Sequence, residues 1–161
     1  MKQTRRTPAG EALTGMILDL FRLTSAVLAA GDRLVAPLGL TSARWQVLGA
    51  IVSAERPQPV AWLARDLGGN RQNVQRIIND LREEGLVEFE HNPHHRRAQL
   101  VALTEKGKKS FGAAMELQAP WVNQLSDGIG RKELEGMHHV IQRLQENLKE
   151  IGSTDMVHLD P

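Results

Sequence analysis

The chain has 161 residues, of which 41% are hydrophobic and 24% charged, values typical of a single soluble globular domain. Its 20 lysine and arginine residues nearly balance 19 acidic ones, so the net charge of +1 is no argument for a nucleic-acid partner. The lack of cysteine excludes disulfides, cysteine-ligated zinc and thiol-based redox sensing, and apolar runs far below the roughly 20 residues of a membrane span lead us to expect a cytoplasmic protein with no membrane partner.

A long helix over residues 8–36 is the first predicted element. Thr7 followed by Pro8 is typical of a helix N-terminus, and apolar residues then recur at helical spacing. Pro37 ends the pattern. A second helix is expected after a cap at Thr41 or Ser42, because Trp45, Leu48, Ile51 and Val52 share one helical face.

Two further short helices are predicted on either side of a Gly68-Gly69 turn. The first carries Val60, Leu63, Ala64 and Leu67. The second begins at an Asn70 cap, and its apolar residues fit the i, i+3, i+4, i+7 pattern: Val74, Ile77, Ile78 and Leu81. Gly85 stands where a left-handed residue commonly ends a helix.

Two strands interrupt the helical pattern, at residues 86–91 and 98–103, and the polar loop 92–97 joins them as a hairpin. Thr104 then caps another helix, in which Pro120 predicts a kink. The last helix has a seam of apolar residues at alternating spacings of three and four: Leu134, Met137, Ile141, Leu144 and Leu148. This seam packs either on the chain's own first helix or, as we prefer, on a second chain.

The order helix, turn, helix, hairpin is that of a winged helix-turn-helix. The predicted fold is therefore mainly α with a small β-hairpin wing (α+β). It comprises an N-terminal dimerisation helix (8–36), a winged helix-turn-helix DNA-binding lobe (41–103) and C-terminal dimerisation helices (104–151).

The helix after Asn70 has the outer face of a recognition helix. At 100° per residue, Gln72 and Arg76 lie opposite the apolar stripe, and Asn73, Gln75 and Asn79 flank them. Amide and guanidinium groups hydrogen-bond base edges in the major groove. A solvated face would normally carry glutamate and lysine, and neither occurs in residues 70–79.

The predicted wing is basic. Five lysines or arginines and only one acid, Glu105, lie between Asn92 and Lys109, so the segment carries a local charge of +4: Arg96, Arg97, Lys106, Lys108 and Lys109. A basic hairpin can follow a phosphate strand or insert an arginine into the minor groove. Double-stranded DNA is thus the predicted partner.

The segments LTSARWQVLGAIV and VAWLARDLGGNRQNVQRIINDLREEGLVEFEHNPHHRRAQLVALTEKG resemble the core of the MarR family of bacterial transcription regulators, over roughly residues 40–107. The GLV after the recognition helix and the RR…LT-x-x-G after the wing carry most of the resemblance. It implies an obligate homodimer on a near-palindromic operator, more often a repressor, released by small anionic and frequently aromatic ligands.

The resemblance also assigns residues. It matches Asn73, Gln75 and Arg76 to the part of the recognition helix that contacts bases and phosphates, and Arg96 and Arg97 to the basic residues of the wing. With the face analysis, the predicted DNA-binding set is Arg71, Gln72, Asn73, Gln75, Arg76, Asn79, His95, Arg96 and Arg97. A ligand pocket between the dimer helices and the DNA-binding lobe would include Arg22, Arg44 and Trp45.

One departure concerns the wing, which usually reads Asp-Pro-x-Asp-Arg-Arg in the family. Here Asn92 and His95 replace the two acids. An acid at that point would pair with the second arginine and orient it, so the geometry of this wing is open. The histidines beside the arginines would also make DNA binding stronger at lower pH if they are protonated near phosphates.

The sequence gives less support to other classes of function. No catalytic motif or phosphate-binding glycine loop is present, so no enzyme activity and no cofactor are predicted. A metal-responsive regulator would use His91, His94 and His95, or His138 and His139, but adjacent loop residues point in different directions and no metal site is predicted. A protein-interaction adaptor without specific DNA binding is the remaining alternative.

Overall fold

The computed structural model describes residues 5–95 and 97–157, the last five of these by backbone only. Over these residues the chain forms six α-helices, one short 3-10 helix (Ala36–Leu38) and three strands. The elements are α1 (Pro8–Val35), α2 (Ser42–Ser53), β1 (Gln58–Pro59), α3 (Val60–Asp66), α4 (Arg71–Glu83), β2 (Val87–Glu90), β3 (Leu100–Leu103), α5 (Glu105–Leu125) and α6 (Arg131–Val157). The mainly helical fold with a hairpin wing is as predicted.

The predicted hairpin is confirmed with narrower bounds, and it belongs to a three-stranded antiparallel sheet in the order β1-β3-β2. β3 is the central strand, and its residue Val101 pairs with Phe89 of β2 on one side and with Gln58 of β1 on the other. β1 was not predicted. It is two residues long and lies among prolines, so it has no alternation that a sequence pattern can detect.

Side-chain caps begin the helices where the sequence predicted them. The hydroxyl of Thr7 accepts from the amide of Gly10, and Thr41, rather than Ser42, caps α2 by accepting from Arg44. The Asn70 side chain accepts from the amides of Gln72 and Asn73 at the start of α4. Gly85 has φ 73°, the left-handed conformation expected after α4.

The described part of the chain forms two compact units, one that ends at residue 119 and one that begins at residue 120. They divide at Pro120, the residue where a kink was predicted, and α5 continues through it. The core lies in the first unit, where α2, α3 and α4 pack with the sheet around Leu48, Leu63, Ile78 and Val101.

The second unit contains the end of α5 and α6. α6 continues to Val157, beyond the predicted end near Ile151. Gly152 costs a helix only about 1 kcal/mol relative to alanine, so it weakens the helix without ending it.

α1 is largely exposed along its length, and only Gly31 and Val35 are buried. The segment Pro8–Leu38 is long and apolar enough to cross a membrane by length and composition alone, since an 18-residue stretch within it has a mean hydropathy of 1.5. The prediction from short apolar runs overlooked this property, because charged and polar residues such as Asp19, Arg22 and Asp32 divide the segment into short apolar stretches. Such a helix is weak evidence for a membrane span, since a helix of a soluble protein can pass the same test.

α1 approaches α2 closely at Gly31. A Cβ atom at this position would lie 2.5 Å from the hydroxyl oxygen of Ser42. That hydroxyl donates to the carbonyl of Leu28 at 2.7 Å, and the amide of Ser42 donates to the Asp32 carboxylate at 2.6 Å. The C-terminal part of α1 is therefore joined to the first turn of α2 by hydrogen bonds as well as by packing.

α5 lies even closer to the segment that follows α4 than α1 lies to α2. A Cβ atom at Gly107 would lie 1.9 Å from the carbonyl oxygen of Leu86. Thr104 makes this approach possible, because its hydroxyl donates to the carbonyl of Gly85 at 2.7 Å and accepts from the amide of Gly107 at 3.1 Å. The GLV and LT-x-x-G segments, distant in sequence, are thus two halves of one contact.

We expect Gly107→Ala to lower the free energy of unfolding by at least about 1–3 kcal/mol, since the added methyl group overlaps a backbone carbonyl that cannot turn aside. Gly112→Ala is the matched control on the same helix, with no atom within 4 Å of its Cβ. Alanine there should be neutral or stabilising, by up to about 1 kcal/mol. Urea unfolding followed by circular dichroism measures both variants. Equal free energies of unfolding of the Gly107→Ala and Gly112→Ala variants would show that the contact with Leu86 does not require glycine at position 107.

Candidate nucleic-acid interface

α4 carries its polar residues on the faces that the sequence predicted. Val74, Ile77, Ile78 and Leu81 are buried, as the apolar stripe required. Gln72, Asn73 and Arg76 are exposed, and Gln75 and Asn79 are half-buried at the edge of the stripe. The helix thus presents an outer polar face and a polar edge directed towards the wing.

The polar edge of α4 forms one wall of a groove, which we call the recognition groove. Its volume is about 390 Å³, and the wing and the start of α3 supply the other walls. It is lined by Pro59, Val60, Ala61, Arg71, Gln75, Asn79, Arg82, Phe89, Arg97, Ala98 and Gln99. Three arginines and three amides line the groove, and its described lining has no acidic side chain.

Four of the predicted DNA-binding residues meet in this groove: Arg71, Gln75, Asn79 and Arg97. The amide nitrogen of Gln75 donates to the side-chain oxygen of Asn79 at 3.1 Å. This hydrogen bond fixes the orientation of both amides, so each presents a defined donor or acceptor to the groove.

Arg82 also lines the groove, and the sequence analysis missed it. Its guanidinium carbon lies 5.3 Å from the centroid of the Phe89 ring, which holds the side chain against β2. A signal was available, because Arg71, Gln75, Asn79 and Arg82 are spaced four, four and three residues apart. That spacing places them on one helical stripe.

The remaining polar residues of α4 lie on its outer face and do not line the groove. Arg76 donates to the side-chain oxygen of Asn73 at 3.0 Å, and its guanidinium lies 4.0 Å from the Asp80 carboxylate. Gln72 precedes them on the exposed first turn. The helix therefore has two sets of polar groups, one facing outwards and one facing the wing.

Asn92 organises the wing in place of the family's acid. It is only 8% exposed, its side-chain oxygen accepts from the amide of His94 at 3.0 Å, and its side-chain nitrogen donates to the carbonyl of Ala98 at 2.8 Å. An aspartate could make the first bond but not the second. The Asn92 side chain thus closes the loop together with two backbone hydrogen bonds, from the amide of His95 to the carbonyl of Asn92 and from the amide of Ala98 to the carbonyl of His95.

The predicted wing residues fall in different places. Arg97 is exposed and lines the recognition groove, whereas His95 is exposed and lines a neighbouring cavity with His94. Arg96 lies outside the described residues. Among the residues that the structure describes, no three histidine, aspartate or glutamate side chains are placed to hold a metal ion.

Part of the basic segment is occupied by intramolecular contacts. Lys106 donates to the carbonyl of Glu84 at 2.6 Å, and Lys108 binds the Glu105 carboxylate at 2.7 Å. The hydrogen bond and charge of Lys108 lower the pKa of Glu105, and Glu105 in turn raises the pKa of Lys108. The local charge of +4 therefore overstates the number of side chains in this segment that are free to bind phosphates. Of its described cations, Arg97 is the one that lines the recognition groove.

The expected ligand residues have different surroundings. Arg44 is mostly buried, contacts the Glu84 carboxylate through one guanidinium nitrogen and donates through the other to the carbonyl of Gly39 at 3.0 Å. It thus links α2 to the end of α4. Its Nε atom is buried without a hydrogen-bond partner among the described residues, and its contact with a ligand stays a prediction. Arg22 is exposed and pairs with Asp19 at 3.1 Å, and Trp45 packs against the core.

Comparison with known proteins identifies this arrangement. A family model described as the MarR family matches residues 38–98, the segment from the linker before α2 to the wing. The chain belongs to the MarR family of transcription regulators. Regulators of this family are generally non-enzymatic DNA-binding proteins.

Similar proteins extend over most of the chain. An uncharacterised protein of Mycobacterium tuberculosis (strain H37Rv) is 34% identical over 139 residues, which cover 86% of this chain and 96% of that protein. A structure of a cysteine-to-serine mutant of Escherichia coli MarR complexed with operator DNA has a TM-score of 0.67 and 26% identity, and covers 82% of this chain and 97% of that one.

The repressor CouR has the same fold in two solved states. Bound to a 23-mer DNA duplex, it has a TM-score of 0.73 and 24% identity, covering 88% of this chain and 99% of that one. CouR from Rhodococcus jostii bound to p-coumaroyl-CoA has a TM-score of 0.71 and 24% identity, covering 78% and 87%. The MarR-family fold of this chain is thus one that solved structures contain in DNA-bound and ligand-bound forms.

We expect Asn92→Asp to destabilise this MarR-family protein by about 1–3 kcal/mol, because the carbonyl of Ala98 would lose its donor and face a buried carboxylate. The loss should diminish as the pH falls and the carboxyl group becomes protonated, since a protonated carboxyl can again donate. Asn147→Asp, on an exposed face of α6, is the control. Urea unfolding at two pH values measures the effect, and an equal, small change in both variants would contradict it.

Proposed function

We propose that this chain is a repressor that binds a near-palindromic operator as a homodimer. The observation that carries the proposal is the recognition groove, where a hydrogen-bonded pair of amides lies among three arginines and no described acid. Amides and guanidinium groups read base edges, and arginines also bind phosphates. In this assignment Gln75 and Asn79 read bases beside the wing. Gln72, Asn73 and Arg76 contact DNA from the outer face of α4.

Arg71 and Arg97 anchor the lobe at opposite walls of the groove in this proposal. Arg71 is at the first position of α4, where the helix dipole also favours a phosphate. The bound dimer would repress transcription by excluding other proteins from a promoter. Because its DNA partner is the bacterial chromosome in this proposal, the protein would act in the cytoplasm.

The homodimer is supported by apolar side chains that the single chain leaves uncovered. On α1 these are Ile17, Leu18, Phe21, Leu23, Val27 and Leu28. On α6, Leu134, Met137 and Leu148 of the predicted seam are exposed, Leu148 by 68%. Each of these helices thus leaves several large apolar side chains in water, which is unfavourable for a monomeric soluble protein. A second copy of the chain would remove them from water.

Release by a small ligand is the remaining part of the proposal. CouR, a protein of the same fold, has been solved with p-coumaroyl-CoA bound. Arg22, Arg44 and Trp45 are the residues that the family resemblance predicts for an effector pocket, and a ligand that reaches Arg44 would bind beside its contacts with Gly39 and Glu84.

We expect Leu144→Glu to weaken the dimer by several kcal/mol, because it would bury a charge in the α6 seam. Gln145→Glu adds the same charge to the adjacent, exposed residue and should leave association unchanged. Sedimentation equilibrium at micromolar concentration measures both variants and the wild type. A monomeric wild type would remove the dimer from the proposal.

Selection of random duplex DNA on the purified protein should enrich an inverted repeat. On that operator, Gln75→Ala should lose about 1–3 kcal/mol of binding free energy, with little change on random DNA, because it reads bases. Arg97→Ala should weaken binding to both DNAs and reduce the salt slope by about one unit per protomer. Lys132→Ala, on α6, is the control for charge. Unchanged specificity of Gln75→Ala would exclude Gln75 from base reading.

A further inference from the structure

The outer face of α4 carries an acidic side chain next to its central arginine. Asp80 is the one acid among residues 71–80 of this helix. Its carboxylate lies 4.0 Å from the guanidinium of Arg76, and the two side chains are 51% and 70% exposed. The same guanidinium donates to the side-chain oxygen of Asn73 at 3.0 Å. Arg76 therefore lies on the helix surface in contact with one neutral acceptor and one negative charge.

Helix stability does not explain an aspartate at this position. Asp80 lies in the last turn of α4, which ends at Glu83, and a negative charge near a helix C-terminus interacts unfavourably with the helix dipole. The arginine also precedes the acid at i, i+4, which is the weaker order for such a pair. Exposed ion pairs contribute little to folding. The role of Asp80 is therefore better explained by the groups that approach Arg76 from outside.

The Asp80 carboxylate acts differently on the two kinds of DNA group that an arginine can bind. A phosphate that approaches Arg76 also approaches the carboxylate, and the two negative charges repel each other. The O6 and N7 atoms of guanine are uncharged acceptors, and a guanidinium binds them through two hydrogen bonds. The carboxylate thus penalises a phosphate contact at Arg76 much more than a base contact.

The arginines of the recognition groove have no such neighbour. Arg71, Arg82 and Arg97 line the groove, and its described lining contains no acid. These side chains can bind phosphates without repulsion from a carboxylate in the groove. Phosphate anchoring and base reading are thus assigned to different arginines of the same lobe.

We propose that Asp80 is a specificity-determining residue, which keeps phosphate away from the Arg76 guanidinium and reserves that group for the guanine edge of a base pair. The inference rests on the proposed DNA-binding function. It adds to that function a penalty on random DNA, where Arg76 meets the wrong bases and only phosphates remain for it to bind. Asp80 itself contacts no base and acts through Arg76.

Asp80→Asn tests the charge, because the amide keeps the size of the side chain and an acceptor oxygen for Arg76. Fluorescence anisotropy of a labelled duplex of scrambled sequence should show binding that is tighter by roughly fivefold or more. The salt slope should steepen by about one unit per protomer, because Arg76 then binds a phosphate. Asp80→Glu, which keeps the charge, should resemble the wild type. Glu135→Gln removes the acid of another exposed i, i+4 pair, with Arg131 on α6, and is the control.

A double-mutant cycle determines whether Asp80 acts through Arg76. In an Arg76→Gln background, Asp80→Asn should lose most of its gain on the scrambled duplex and leave the salt slope unchanged. A full gain in that background would overturn the proposal, because the carboxylate would then repel DNA without Arg76. Unchanged affinity and salt slope of Asp80→Asn on the scrambled duplex would overturn it as well.

Specificity is measured on the operator obtained by selection. Asp80→Asn should gain less on the operator than on the scrambled duplex, so the ratio of the two affinities should fall severalfold. Selection with this variant should relax the preference at one base pair of each half-site. Equal gains on both duplexes would overturn the proposal. Failure of the wild type to enrich any sequence would contradict the proposed function, and the scrambled-duplex measurements would still decide whether Asp80 keeps phosphate from Arg76.

Discussion

Three consecutive backbone carbonyls directly after α4 are held by Thr104 and the first turn of α5. Lys106 donates to the carbonyl of Glu84, the hydroxyl of Thr104 donates to that of Gly85, and the amide of Thr104 donates to that of Leu86 at 3.2 Å. Gly107 allows this approach because it has no Cβ. These donors hold the segment that directly follows α4. That segment in turn satisfies the last carbonyls of the helix, because the amide of Gly85 donates to the carbonyl of Arg82 at 2.9 Å and the amide of Leu86 donates to that of Leu81 at 2.8 Å.

The orientation of the wing follows from that junction. β2 begins directly after Leu86 and β3 ends at Leu103, directly before Thr104, so the same contact closes the base of the hairpin. Arg44 reaches the junction from α2 through the carboxylate of Glu84. With both elements held at one point, the polar edge of α4 and the side chain of Arg97 face each other across the recognition groove. A net charge of +1 is compatible with such a groove because the acids, such as Asp80 and Glu84, are on other faces.

Stability is distributed unevenly along the chain. The buried core is formed by α2, α3, α4 and the sheet with parts of α1 and α5, whereas most of α1 and α6 leaves large apolar side chains in water. Burial of apolar surface contributes about 25 cal/mol per Å², so a long helix gains most of its stabilisation from whatever covers its apolar face. In the proposed dimer, association supplies that cover, and folding of the terminal helices is then coupled to protomer concentration.

Local rules determined much of this protein directly from sequence. Caps at Thr7, Asn70 and Thr104, the left-handed Gly85 and the period of the α4 stripe depend on neighbouring residues only, so the helices and the faces of α4 were predictable. β1 was not, because two residues among prolines form a strand only when β3 lies beside them. The contacts of Arg44 and Asn92 could not be predicted for the same reason, since their partners Gly39, Glu84 and Ala98 come within reach only in the folded chain. The recognition groove arises where α3, α4 and the wing meet, and contacts between segments distant in sequence leave no periodic pattern along the chain.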